Sequence, residues 1–316
     1  MAPLTELHGN PRPVRGTLGG ASAPPSSRLL PPSLSWVRVG LLLFAAVTAV
    51  APTASAHGAT HEQIAALTIK INLDPRNADL YVRRGELYSD HGNWQSALDD
   101  FQRAGQLDSS LTLVDLARGR TLFNAGQLEA AKSAFDRFLT KEPIHPQARI
   151  LRARTLSQLG QWDASVADYN QAIEYLAQLG APNPDYYLER AYASAARGSA
   201  YVPDALHGLD DGIATLGTLA TLQLYAIELE LSRGRTDDAL ARLESLAASS
   251  NRRESLLARL GEILELAGRR DAARTAYEQA VAAINLLTPR HRATRGIVEL
   301  DAHVRTALAR LQRSEG

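Results

Sequence analysis

The fold is decided by residues 83–108, RRGELYSDHGNWQSALDDFQRAGQLD, and the pattern returns at residues 260–284, LGEILELAGRRDAARTAYEQAVAAI. Each stretch has a central glycine with a small residue seven positions before it. Another small residue lies five positions after the glycine, and a large apolar residue four positions further on. This spacing predicts two helices around a tight turn. Glycine supplies the freely rotating turn, and the small residues let the helices approach closely beside the apolar side chain.

The same pattern recurs through most of the chain at intervals of 34 to 38 residues. Its central glycines are Gly92, Gly126, Gly160, Gly198, Gly234 and Gly268. The fifth copy departs from the pattern, because Ile227 stands where a small residue is expected. A single helix pair leaves one apolar face uncovered, so the six units are expected to stack on one another.

The repeated residues resemble the tetratricopeptide repeat, a helix–turn–helix unit of 34 residues. The first unit matches its signature at Tyr81, Gly85, Tyr88, Ala97, Phe101 and Ala104. The last unit matches it at Leu257, Gly261, Leu264, Ala273, Tyr277 and Ala280. The resemblance covers residues 78–287 and implies an all-α superhelical solenoid of about six repeats.

Two insertions interrupt the period. GAPNP (180–184) adds four residues between the third and fourth units, and GSAYVPDALHG (198–208) lengthens the turn of the fourth unit by two. Each could be a hinge, a contact loop or a tolerated insertion, and we favour tolerated variation.

Both ends of the repeat array are expected to carry a capping helix. At the N-terminal end, residues 57–77 include a helix that is predicted to begin after Thr60, with Gln63 completing a capping box. At the C-terminal end, residues 288–316 include a helix whose apolar stripe should seal the sixth unit. That stripe consists of Ile297, Leu300, Val304, Leu308 and Leu311.

The first 56 residues predict export from the cytoplasm. Residues 1–35 are rich in Pro, Gly and Ser and are predicted to be a disordered leader. After Arg38 come 13 uncharged residues, 39–51, a length that suits a signal-peptide core better than a membrane span. The small residues Ala54 and Ala56 predict cleavage after Ala56, which gives a periplasmic or secreted mature form without a stable membrane span. The alternative is an uncleaved anchor.

The composition excludes several classes of function. The formal net charge is zero, so the chain has no basic surplus to attract nucleic acid. No cysteine is present, and the sequence contains no nucleophile elbow, phosphate-binding loop or zinc-protease motif. We therefore predict that the protein is not an enzyme and uses no cofactor. Its abundant arginine and scarce lysine indicate a bacterial genome.

The family resemblance implies that the first helix of each unit lines a concave groove, which binds peptides or helices of a partner protein. Carried over to this chain, the groove positions of the second and third units that we assign to a binding site are Leu116, Arg120, Phe123, Asn124, Ile150, Arg154 and Gln158. Arg120 and Arg154 would grip a carboxylate, and the apolar residues would hold adjacent side chains. The alternative is that Arg120 pairs with Glu86 and that Arg154 is merely solvated.

A second hypothesis concerns metal binding at the new N-terminus. After cleavage, His57 would offer its amine and an imidazole nitrogen to Cu(II), an ion that favours nitrogen ligands in a square plane. His61 could add a third nitrogen. The leading hypothesis remains a non-enzymatic scaffold that binds a protein or peptide outside the cytoplasm.

Overall fold

The computed structural model describes residues 53–313, with side chains described from Thr60 onward. The predicted leader and the apolar stretch 39–51 lie outside the described residues. All regular elements of the described part are helices, which confirms the all-α fold class. They are α1 (Thr53–Leu73), α2 (Ala78–Asp90), α3 (Trp94–Leu107), α4 (Leu113–Asn124), α5 (Leu128–Lys141), α6 (Pro146–Gln158), α7 (Trp162–Gln178), α8 (Pro184–Ala196), α9 (Val202–Leu216), α10 (Ala220–Ser232), α11 (Thr236–Ser249), α12 (Glu254–Leu266), α13 (Arg270–Leu286), α14 (Pro289–Arg292) and α15 (Arg295–Arg313).

Six helix pairs, from α2/α3 to α12/α13, form the repeating units. In the first unit, a Cβ atom on Gly85 would lie 2.7 Å from the ring of Phe101. In the second unit, a Cβ on Gly119 would lie 2.5 Å from the ring of Phe135. In these two units the ring of the second helix therefore packs directly on the backbone of the first helix, which is why a small residue is required there.

The turn glycines adopt the backbone conformation that the sequence predicts. Gly92 has φ 77° and Gly126 has φ 74°, in the left-handed region where residues with a Cβ are strained. The fourth unit differs, because its longer turn forms a short 3₁₀ helix, Ser199–Tyr201, after Gly198.

Apolar side chains join successive units into one stack. Ile71 of α1, Phe101 of the first unit and Val114 of the second unit belong to one buried cluster. At the other end, Val304 and Leu311 of α15 are buried against the last two units. Capping helices therefore cover the apolar faces at both ends of the described array.

The N-terminal helix begins earlier than the sequence predicts. Helix α1 starts at Thr53, so Thr60 lies inside the helix and the prediction that it caps the N-terminus is wrong. The preceding residues, Thr-Ala-Ser-Ala-His-Gly-Ala, contain no proline, and only Gly58 costs about 1 kcal/mol relative to alanine. Residues 53–59 can therefore adopt helical structure, and the capping motif at Thr60 does not make the helix begin there.

A series of arginines connects neighbouring units. Arg84 of α2 donates to Asp100 of α3 at 2.8 Å and to Thr68 of α1 at 2.9 Å. In the same register, Arg152 of α6 donates to Asp168 of α7 and to Asp136 of α5, both at 2.7 Å. Each guanidinium thus joins the second helix of its own unit to the preceding helix.

Later units keep such an arginine contact in altered form. Arg190 of α8 donates to Asn170 of α7 and Asp204 of α9, and its guanidinium occupies the space that a side chain at Gly208 would need. In the fifth unit the arginine lies on the second helix instead, where Arg242 contacts Asp210 at 2.8 Å and the buried Glu230 at 2.9 Å. We call this series of contacts the arginine ladder.

The arginine ladder is incomplete at two boundaries. Arg118 has the register of Arg84 and Arg152, but Ala134 stands where those arginines have an aspartate. Within the described part of the chain, the buried Nε of Arg118 has no hydrogen-bond partner. In the sixth unit the two positions are held by the apolar Leu260 and Ala276.

Candidate binding surface

The exposed sides of α2, α4, α6, α8, α10 and α12 form the candidate site, which we call the first-helix surface. Its side chains meet across neighbouring first helices. Arg120 of α4 lies 4.0 Å from Glu86 of α2, and Arg154 of α6 pairs with Glu189 of α8. Tyr192 of α8 contacts Tyr225 of α10.

The part of the surface on α4 is open to a partner. The Arg120 side chain is 44% exposed, and its 4.0 Å approach to Glu86 is a weak, solvated ion pair. Asn124 is exposed beside it on α4. Arg120 thus pairs with Glu86 only weakly, and its guanidinium can still donate hydrogen bonds to another group.

The apolar residues predicted for this site differ in their exposure. Leu116 and Phe123 are half-buried and pack against the core of the second unit, so each presents only part of its side chain. Ile150 is fully buried in a cluster with Val166 and Tyr169, so its assignment as a groove contact is wrong. Its position in α6 faces the second helix, and no partner could reach it.

Arg154 is held within the chain. It donates two hydrogen bonds to the carboxylate of Glu189, at 2.9 and 2.8 Å, and its guanidinium lies over the ring of Tyr186. The hydroxyl of Tyr169 also donates to Glu189, at 2.9 Å. The bond to Glu189 raises the pKa of Arg154. Arg154 is therefore neither free for a partner nor simply solvated, whereas Gln158 at the end of α6 is exposed.

Helices α8 and α10 add surface residues that the sequence analysis missed. Tyr192 is 49% exposed and Leu224 is 38% exposed. The rings of Tyr192 and Tyr225 have centroids 4.2 Å apart. Extending the groove positions used for α4 and α6 to α8 and α10 would have identified Tyr192, Leu224 and Glu228, because they occupy the ninth, fifth and ninth positions of their units.

Glu228 lies beside this tyrosine pair. Partial removal of water by its surroundings raises the pKa of Glu228, and the positive charge of Arg259 offsets part of that effect. Burial raises the pKa of Tyr192, and the charge of Glu228 raises it further. Arg259 itself donates to Glu262 at 3.1 Å. Within the described residues, the carboxylate of Glu228 makes no hydrogen bond or close ion pair.

The histidine hypothesis gains no support from the described residues. The ring of His61 stacks on His91 with centroids 5.1 Å apart. The side chain of His57 lies outside the described side chains. From Thr60 to Arg313, no cluster of three or more histidine or acidic side chains is arranged to hold a metal ion. None of the described helices combines the length and the apolar character needed to cross a membrane.

Comparisons with known proteins point to one family. A model described as "Tetratricopeptide repeat" matches residues 116–184, and one described as "Tetratricopeptide repeat-like domain" matches residues 208–300. Together they cover just over half of the chain. Human DnaJ homolog subfamily C member 3 is 26% identical over 114 residues, which are 34% of this chain. The match spans only 23% of that relative's length.

Solved structures show a similar fold at low sequence identity. A tetratricopeptide repeat protein from Parabacteroides merdae is 17% identical, with a TM-score of 0.49 over 79% of this chain and 94% of its own. MamA from Desulfovibrio magneticus is 12% identical, with a TM-score of 0.46 over 50% of this chain and 86% of its own. At such identities the likeness concerns the fold alone.

Proposed function

Because the chain belongs to the tetratricopeptide-repeat family, whose stacked helix pairs are protein–protein interaction scaffolds, we propose that it holds a partner protein or peptide on its first-helix surface, outside the cytoplasm. The proposed role is non-enzymatic. Arg120, Asn124 and Gln158 supply polar contacts, and the exposed edges of Leu116 and Phe123 supply apolar ones.

The open environment of Arg120 carries this proposal. A guanidinium that is 44% exposed and only loosely paired can exchange Glu86 for a carboxylate of a partner at little cost. Arg154 cannot do so, because release of Glu189 would break two hydrogen bonds. Recognition of an acidic group is therefore assigned to Arg120, with Asn124 next to it as a second donor.

The location rests on the sequence of the first 56 residues. The 13 uncharged residues 39–51 and the small residues at Ala54 and Ala56 support export and cleavage after Ala56. N-terminal sequencing of the protein recovered from its native source is expected to begin at His57. An intact leader on the exported protein would contradict the proposed cleavage.

Affinity capture from the native source tests the binding surface. We expect Arg120→Glu to lower recovery of the partner at least about tenfold, since it replaces a favourable charge contact by a repulsive one. Arg103→Glu is the matched control, because Arg103 is exposed on the second helix α3. Circular dichroism should show equal helix content in both variants. Equal capture by both variants would remove Arg120 from the binding site.

A further inference from the structure

The tyrosine pair on α8 and α10 has features of a recognition site. Tyr192 and Tyr225 come from different units, and their rings are tilted by 47° with centroids 4.2 Å apart. Tyr192 is nevertheless 49% exposed, and Leu224, which directly precedes Tyr225 in α10, is 38% exposed. Aromatic faces that remain accessible to solvent can attract a cation through the negative charge of the ring face.

Glu228 gives the same place an available carboxylate. Arg259, the positive charge that acts on Glu228, is engaged with Glu262 at 3.1 Å. Glu228 lies one helical turn after Tyr225 on α10. Burial raises the pKa of both tyrosines, and the charge of Glu228 raises each further. A carboxylate that is partly shielded from water and lacks a hydrogen-bond donor gains more from a cationic partner than one that is fully hydrated.

One unit earlier, the chain shows how such groups hold a guanidinium. Arg154 donates two hydrogen bonds to Glu189 and lies over the ring of Tyr186, with 5.9 Å from its central carbon to the ring centroid. At the corresponding position of α8, the arginine is replaced by Tyr192. The surface at α8 and α10 thus has a carboxylate and aromatic rings but lacks a guanidinium of its own.

We propose that Tyr192, Tyr225 and Glu228 bind an arginine side chain of the partner peptide, and that Leu224 contacts an apolar residue next to that arginine. This inference rests on the proposed function, since it specifies partner chemistry on the same first-helix surface. Arginine suits the site better than lysine because its planar guanidinium stacks on aromatic rings and donates two parallel hydrogen bonds to a carboxylate.

Three synthetic peptides test the proposal directly. They are acetylated, amidated heptapeptides with the core Leu-Arg-Leu, with citrulline in place of the arginine, and with glutamate in its place. Binding is followed by the tyrosine ring resonances of the purified protein. Citrulline keeps the shape of arginine without its charge, so we expect it to bind at least about tenfold more weakly, and the glutamate peptide more weakly still.

Two protein variants locate the effect. Glu228→Gln should reduce affinity for the arginine peptide about tenfold and abolish the preference over citrulline. Glu244→Gln should change neither, because Glu244 is exposed on the second helix α11. Equal binding of the arginine and citrulline peptides would overturn the proposal, as would equal effects of the two variants.

The capture experiment separates this inference from the proposed function. If Arg120→Glu loses the native partner while Glu228→Gln keeps it in full, the scaffold function stands and the arginine site is wrong. If both variants lose the partner and Glu244→Gln keeps it, both proposals are supported.

Discussion

At the scale of single residues, the contact between a small residue and a ring sets the distance between the two helices of a unit. Gly261 repeats this contact in the sixth unit, where its Cβ would lie 2.5 Å from the ring of Tyr277. The fifth unit, which breaks the sequence pattern, compensates in packing. Ile227 takes the small position, and Leu243 replaces the ring, so both side chains fit fully buried in one cluster.

Substitution of a helix-contact glycine should destabilise its unit. We expect Gly119→Ala to lower the free energy of unfolding by about 1–3 kcal/mol, because the added methyl group overlaps the buried ring of Phe135. Gly296→Ala is the matched control, since Gly296 lies in α15 with open space around its Cβ position. There the substitution should stabilise the protein by up to about 1 kcal/mol through helix propensity. A shift of the thermal unfolding midpoint in the same direction for both variants would contradict a close contact between Gly119 and Phe135.

At the scale of elements, the arginine ladder explains how neighbouring helix pairs stay in register. Each of its arginines serves two helices, and its main acceptors Asp100, Asp168 and Glu230 are at least 95% buried. Buried charges are tolerated only where they are paired and hydrogen-bonded, so the ladder penalises any slip of one unit against the next. The bond to Asp168 raises the pKa of Arg152, whose guanidinium is charged even at its ordinary pKa.

The ladder was not predictable in the way that the helices were. Glycine spacing and apolar periodicity predicted the six units, since these patterns repeat in every copy. The aspartates at Asp99–Asp100 could instead be taken for solvated acids early in a helix, although Asp100 is 5% exposed. Likewise, Ile150 was assigned to the surface by analogy alone. Ile150 instead packs against Val166 and Tyr169 of the second helix in its own unit, and the family pattern does not reveal this local packing.

Breaking one contact of the ladder should be costly. We expect Asp168→Asn to destabilise the protein by about 3 kcal/mol, because Arg149 and Arg152 would both lose their buried counter-charge. Denaturant unfolding measures this loss. Asp163→Asn is a control on the same helix, since Asp163 is 82% exposed, and should cost less than about 1 kcal/mol. Similar losses for the two variants would show that the ladder contributes little.

Restoring the arginine–aspartate contact that Arg118 lacks should stabilise the protein. We expect Ala134→Asp to stabilise the protein by about 1 kcal/mol, because the new carboxylate would reach the unpaired Nε of Arg118. In an Arg118→Leu background the same substitution buries an unpaired carboxylate and should destabilise instead. A double-mutant cycle gives the coupling between the two positions. If the effects of the two substitutions on stability are additive, the side chains at positions 118 and 134 do not interact.

At the scale of the whole described array, stability depends on contacts between neighbours and on the two caps. Helix α15 buries Val304, Ala307 and Leu311 against the last units. On its polar side, Arg310 donates to Glu265 at 2.9 Å and lowers the pKa of that carboxyl. The stabilisation that ionised Glu265 contributes to the folded protein is therefore fully present above the pKa of an unfolded glutamate. This stabilisation is lost as the pH falls through the lower pKa that Glu265 has in the folded state.

Detachment of the C-terminal capping helix α15 should destabilise only the neighbouring helices. We expect Val304→Asp to detach α15 and to speed hydrogen exchange in α12, α13 and α15, because it places a carboxylate at a fully buried position. Exchange in α2 to α7 should be unchanged, since units contact only their neighbours. Val298→Asp, on the same helix but 55% exposed, should leave all helices protected. Equal acceleration along the whole array would mean that the units unfold together.

The incomplete arginine ladder also has a consequence for how the chain could evolve. A duplicated unit inserted next to Arg152 or Arg242 would have to bring both an arginine and its acid, or leave a charge without a counterpart. At the boundary of the fifth and sixth units, Leu260 and Ala276 impose no such condition. Homologous chains should therefore gain or lose whole repeats next to the C-terminal cap more often than next to Arg152 or Arg242.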